Sequence, residues 1–291
     1  MLPFWISIAL LSLAQGALVA LPGVLKAGGP AIARAHLGGR RWAVIPPLSV
    51  IAFVFVTRAA EHASAQGLTY LALGAVPLLA AIALGWLARG ARPTLALLVL
   101  PLFALAWADR GGLVGEGAAL ALSALSCVAL GVLLATVTPP RWLAAGIVAM
   151  ALADSALVIS DLLQKPNNAL NAAHPVAGLP QLQSAVFGSA VMGYGDLFIA
   201  AALGGLLALT APRSLQLRLA ALAATLALGF DLLFFLLDEL PATVPVALAL
   251  VVAILSRRLR FSSAAGAPPA RPTAAAGSAG DALHGRAPAA R

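Results

Sequence analysis

The sequence predicts an all-α protein: a polytopic membrane bundle of about nine transmembrane helices, with its N-terminus outside and its C-terminus inside. Three observations predict it. First, 62% of the 291 residues are hydrophobic, only 10% are charged and the mean hydropathy is +0.99, whereas a soluble domain carries about a quarter charged residues. Eighteen basic and ten acidic side chains cannot clothe a water-facing surface of this size. That excludes a soluble enzyme, a disordered chain and a secreted disulfide scaffold. Second, the apolar residues fall into runs near the ~17–25 residues that cross a ~30 Å hydrocarbon core. Third, the basic residues fall between those runs on alternate sides.

The runs cover residues 3–22, 42–57, 67–88, 93–108, 115–137, 142–163, 186–211, 217–238 and 239–256. The first lacks the basic n-region of a leader peptide over Met1–Trp5, so it reads as a helix. The second and fourth are short and borrow flanking residues. With the N-terminus outside, the inner segments hold Lys26, Arg34, Arg40, Arg41, Arg89, Arg92, Arg141, Arg213, Arg218 and six later arginines. The outer loops hold only Arg58, Arg110 and Lys165. Fifteen against three is the positive-inside pattern, and a missed span in mid-chain would scramble it.

Residues 1–261 therefore form the bundle. From 262 to 291 the chain turns to Ala, Pro, Gly and Arg, the composition of a disordered, basic cytoplasmic tail. The net charge of +8 lacks the interleaved aromatics of a nucleic-acid surface, so the expected partners are the lipid bilayer and a membrane-embedded substrate, with no nucleic acid. The single cysteine, Cys127, excludes an internal disulfide and a cysteine-based metal cluster. No metal and no cofactor is expected.

Acids inside a span are expensive, at ~2.5–3.5 kcal/mol on insertion scales. Asp154, Asp161, Asp196 and Asp231 lie in or near apolar helix, with no Lys, Arg or His deep in the same runs. Asp154 falls about nine residues from the outer end of the sixth run, or ~14 Å, and Asp196 about ten residues into the seventh, or ~15 Å, at the helical rise. Two acids on consecutive antiparallel helices thus share a depth. Asp231 lies shallower in the eighth run, and Asp161 almost at the outer end of the sixth. Two carboxyls a few ångström apart cannot both ionise and share one proton. One can then act as base on a water while the other polarises a carbonyl, with no metal or thiol. Proton coupling in a transporter is the other use of such a pair.

The neighbourhoods add detail. Gly193-Tyr194-Gly195-Asp196 strips side chains from beside the acid, so that backbone and substrate can approach. Pro241-Ala242-Thr243-Val244-Pro245 interrupts helical hydrogen bonding at the outer end of the ninth run, leaving backbone that an extended peptide can pair with. Between the sixth and seventh runs, the loop Gln164–Gln183 reads as an ordered cap or gate over the two acids. His174 in that loop has no assigned role.

Together these features resemble the presenilin and signal peptide peptidase family of intramembrane aspartyl proteases, which has nine spans, Tyr-Asp in the sixth, Gly-x-Gly-Asp in the seventh and Pro-Ala-Leu opening the ninth. The matching residues are Ala153-Asp154, Gly193-Tyr194-Gly195-Asp196 and Pro241-Ala242-Thr243. Ala153 replaces the family tyrosine and Thr243 the family leucine, and the resemblance covers about 141–256. It implies Asp154 and Asp196 as the catalytic pair, Gly193, Tyr194, Gly195, Pro241, Ala242 and Thr243 as the substrate site, and cleavage of transmembrane segments or signal peptides. The expected location is the plasma membrane of a prokaryotic cell. The type IV prepilin peptidases are a second resemblance. Gly195–Gly204 is similar to their Gly-Asp-x-Lys-Leu-Leu-Ala-Ala-Leu-Gly stretch, with Phe198 at the lysine position, and Asp161-Leu162 ahead of Pro166-Asn167 is similar to their first aspartate motif. That reading exchanges Asp154 for Asp161. A proton-coupled transporter or structural membrane protein is the non-enzymatic alternative.

Overall fold

The computed structural model describes residues 3–23, 38–237 and 240–256. Lys26, Arg34, Asp238, Glu239 and the tail from 262 onward lie outside the described residues. The helices are α1 (Phe4–Ala20), α2 (Ile45–Ala59), α3 (Glu61–Ile82), α4 (Val99–Ala108), α5 (Leu113–Val137), α6 (Pro140–Ile159), α7 (Gln164–Ala172), α8 (Tyr194–Thr210), α9 (Arg213–Asp231) and α10 (Val244–Leu255). A 3₁₀ turn at Arg40–Val44 leads into α2. Ala83–Leu87 prolongs α3 as a π-turn, and Leu232–Phe235 prolongs α9 as a 3₁₀ turn.

Among the described residues, five helices are long and apolar enough to cross a membrane: Arg40–Ala59, Ala63–Leu87, Leu113–Val137, Pro140–Ile159 and Arg213–Phe235. Four shorter apolar helices, Phe4–Ala20, Pro93–Ala108, Tyr194–Thr210 and Val244–Leu255, take up the other runs. Large side chains such as Phe55, Leu71, Leu78, Leu100 and Leu152 stand more than half exposed, which is what a lipid-facing perimeter needs and a water-facing one does not.

The centre is α8. Leu197 and the five residues Ile199 to Leu203 have no exposed surface, and a helix buried on nearly every side belongs inside. It packs on α5, α1 and α6, while α1 is also held against α9. A buried amide locks that junction. Gln216, 1% exposed on α9, donates from Nε2 to the carbonyls of Val19 (3.0 Å) and Pro22 (3.2 Å) just where α1 ends.

One expectation is corrected. The run 186–211 does not form a single helix. Its first part is an antiparallel hairpin, β1 (Ser184–Phe187) with β2 (Ala190–Gly193), in register Ser184↔Gly193 to Phe187↔Ala190. Gly188 takes φ +64° at the first of the two linking residues, as a type II′ hairpin turn requires. The tip is anchored on both neighbours. Gly188 N–H donates to Glu116 Oε2 on α5 at 2.6 Å, and Ser189 N–H to Ser7 Oγ on α1 at 3.2 Å. Short apolar runs do not distinguish strand from helix by periodicity, and here the two-residue Gly-Ser link decides.

The α5–α8 crossing depends on small residues. A Cβ on Gly131 would stand 2.4 Å from the Ala201 carbonyl carbon, so the helices touch backbone to backbone, the usual device for close approach without a hydrophobic drive. Gly74 on α3 has open space around it. Gly131→Ala is therefore expected to cost about 1–3 kcal/mol through overpacking. Gly74→Ala should be neutral or stabilising by up to about 1 kcal/mol, the helix-propensity difference. Thermal unfolding of both variants in one detergent checks the contrast.

Candidate active site

α6 and α8 pack against one another, and each contributes one acid, Asp154 and Asp196, to the same cavity. Both carboxyls line a single cavity of about 1050 Å³ that also takes in residues of α1, α3, α7, α9 and the segment before α10. Among the described residues, no lysine, arginine or histidine lines it.

The two acids are held differently. Asp154 lies five residues before the end of α6 and is 7% exposed. Its Oδ2 accepts a 2.7 Å hydrogen bond from the hydroxyl of Thr243, itself fully buried. A carboxyl in apolar surroundings needs such donors, because an unmet one costs ~1–3 kcal/mol or more. Asp196 is partly exposed toward the cavity and stands in the first turn of α8, not ten residues into a helix as the sequence suggested. Its Oδ2 accepts the backbone N–H of Gly193, the N-cap residue, at 3.1 Å. This is one half of a capping box; Gly193 has no side chain to supply the other half. The positive end of the α8 dipole also favours an acid there. A Cβ on Gly193 would stand 3.0 Å from that same oxygen, so glycine lets the carboxylate fold back onto the helix start. Gly195 faces Met150 without crowding.

Among the other predicted site residues, Gly193, Tyr194, Gly195 and Ala242 line the cavity. The Tyr194 hydroxyl shares a 2.7 Å hydrogen bond with Ser126 Oγ on α5. Pro241 is absent from the cavity lining, as is Thr243, which acts through Asp154. Val244 N–H donates to the Pro241 carbonyl at 3.1 Å, so Pro241–Thr243 forms a turn that launches α10. Cys127 is fully buried, with its Sγ 3.8 Å from the Tyr194 carbonyl oxygen.

The rival acids separate clearly. Asp231 lines the cavity and accepts 2.7 Å from the Ser12 hydroxyl on α1. Asp161 is exposed and lies away from the cavity lining. It takes φ 53° at the end of α6, where its N–H bonds the Val158 carbonyl and the Leu162 N–H bonds the Leu157 carbonyl. That bonding pattern is a Schellman stop with aspartate in the left-handed position. The segment after α6 is ordered as expected, because α7 occupies Gln164–Ala172 and its Asn167, Asn168 and Asn171 line the cavity. His174 Nδ1 pairs with Gln181 Nε2 at 2.8 Å. Among the described residues, no group of three or more His, Cys, Asp or Glu side chains is placed to hold a metal.

Sequence reasoning missed the polar face of α1. Ser12 and Gln15, both 1% exposed, line the cavity, and Gln15 Nε2 donates to the Ala242 carbonyl at 2.9 Å. Polar residues at three-residue spacing inside an otherwise apolar helix were the available signal. No protein-family model, no curated protein and no solved structure matches the chain.

The Thr243–Asp154 bond is testable by stability. Thr243→Val leaves a buried carboxyl without its hydroxyl donor and is expected to cost about 1–3 kcal/mol. Thr243→Ser keeps the donor and should lose much less. Equal unfolding temperatures for the Val and Ser variants would reject the bond as a stabilising contact.

Proposed function

We propose that this protein is an intramembrane aspartyl protease that cleaves transmembrane segments or signal peptides. One observation carries the reading: Asp154 and Asp196, from two packed apolar helices, line one cavity with no cation in its wall among the described residues. The residue resemblance to the presenilin and signal peptide peptidase family points the same way. All nine apolar helices are read as spans, with the N-terminus outside and the C-terminus inside on the fifteen-to-three distribution of basic residues. The protein is placed in the plasma membrane of a prokaryote.

The mechanism follows from the pair. Two close carboxyls hold one proton between them. The ionised one takes a proton from water, the water oxygen attacks the scissile carbonyl carbon, and the protonated carboxyl donates toward the carbonyl oxygen as it gains charge. Collapse of the tetrahedral intermediate breaks the C–N bond, and the amine leaves with a proton supplied by the pair. Most of the cavity's lining is apolar, and such low-dielectric surroundings strengthen these interactions. An unwound substrate needs backbone partners. Val191, Met192 and Gly193 of β2 line the cavity beside Asp196, and strand pairing along β2 is the way such a peptide would be received.

The test is cleavage of a panel of single-span reporter helices by purified protein in lipid. Asp154→Asn and Asp196→Asn are each expected to reduce cleavage to background, and the double variant should be no worse, since the two act as a unit. Asp161→Asn should retain full activity, and Asp231→Asn should fall by no more than roughly tenfold. Cleavage surviving in Asp154→Asn, or silenced by Asp161→Asn, rejects the assignment. A wild type that cleaves nothing in the panel rejects the protease reading.

A further inference from the structure

A second concavity, of about 420 Å³, lies between the segment Arg40–Pro47 and the first half of α6. Its walls are apolar and its residues small: Val44, Pro47, Ala145 and Ala149 face into it beside Trp142. Gly146 makes the close approach possible, because a Cβ there would stand 2.4 Å from the Ala43 carbonyl oxygen. Arg40 and Arg41 line the same groove, and among the described residues no acid does. Arg141 stands in the adjoining first turn of α6. Trp42 and Trp142 each lie under a neighbouring guanidinium, Arg41 at 5.8 Å and Arg141 at 5.9 Å from the ring centre. Tryptophan beside arginine at the end of an apolar helix is the pattern of a membrane–water boundary. Gly39 N–H bonds the Val137 carbonyl, which sets this segment against the α5–α6 turn. There the Thr138 hydroxyl is buried with no hydrogen-bond partner among the described residues.

We propose that this groove binds an anionic phospholipid, with its phosphate on Arg40 and Arg41 and one acyl chain along Val44, Pro47, Ala145 and Ala149. Charge complementarity selects the headgroup: basic pockets between membrane helices suit anionic lipid phosphates, and guanidinium matches phosphate in a bidentate way. The apolar walls select a lipid over a free phosphate, which would gain nothing from them. Among the described residues the groove offers the trimethylammonium of a choline lipid no acid to pair with. The proposal rests on the membrane reading of the chain and is independent of its catalytic reading.

Thermal unfolding of the purified protein in an uncharged detergent tests it, with four additions: dioleoyl phosphatidylglycerol, dioleoyl phosphatidylcholine, inorganic phosphate, and none. Phosphatidylglycerol is expected to raise the unfolding temperature of the wild type by several degrees more than phosphatidylcholine, since a ligand of the folded state stabilises it by mass action. Inorganic phosphate should have no effect. The increment should disappear in Arg40→Gln/Arg41→Gln, which removes the headgroup contacts. It should also disappear in Ala149→Phe, which fills the groove. Each variant is compared with its own lipid-free value, so a loss of intrinsic stability does not confuse the result. Equal increments from the two lipids, or an increment that survives in the arginine pair variant, overturn the proposal. An increment that survives only in Ala149→Phe rejects the acyl groove, and one reproduced by inorganic phosphate rejects the lipid.

Discussion

A carboxyl that is 7% exposed inside an apolar bundle must find its donors within the protein, and Asp154 finds them at Thr243. The cost of leaving such a group unmet is large enough to shape everything around it. Satisfying Asp154 fixes where α10 begins and turns the Ala242 carbonyl toward α1, where Gln15 donates to it. One turn earlier on α1, Ser12 donates to Asp231. The wall of the cavity is thus a run of polar contacts from α6 through the start of α10 to α1 and α9, set in a structure whose remaining contacts are mostly apolar. Thr243 supplies the hydroxyl on which this run of contacts turns.

Asp196 is placed by a different device. The hairpin Ser184–Gly193 occupies the length that a longer helix would have used, so α8 starts beside Asp154 with Asp196 in its first turn. The glycines of Gly193-Tyr194-Gly195 belong to that helix start. Gly193 offers its N–H to the carboxylate, and Tyr194 reaches away to Ser126 on α5. The pair therefore joins an acid near the C-terminal end of one helix to an acid at the N-terminus of the next. The hairpin is held from outside by Glu116 and Ser7.

The sequence made the helical bundle legible because its composition leaves too few polar side chains for a water-facing surface, and five helices long and apolar enough to cross a membrane stand among the described residues. The depth of Asp196 was not legible: a short helix and the hairpin lie between α6 and α8, and Asp196 stands in the first turn of α8. The run 186–211 is apolar throughout, and a short apolar run carries no period that separates two strands from the first turns of a helix; only Gly188-Ser189 marked the turn. Ser12 and Gln15 were overlooked for another reason. Neither is ionisable, so neither carries the insertion penalty that drew attention to the acids, yet both are as buried as the core leucines. The role of Asp161 as a helix stop follows from backbone geometry that residue identity only permits.

The central claim is that Asp154 and Asp196 act as one catalytic pair, and its most direct measurement is the binding of a hydroxyethylene peptide isostere. That group imitates the tetrahedral intermediate, and a site built for the transition state holds such mimics far more tightly than substrate. Titration of the wild type, Asp154→Asn and Asp196→Asn in lipid nanodiscs with an isostere of apolar side chains would measure it. The account predicts saturable binding by the wild type and its loss in both single variants. Binding that persists unchanged in either variant, or a wild type that does not bind, would contradict it.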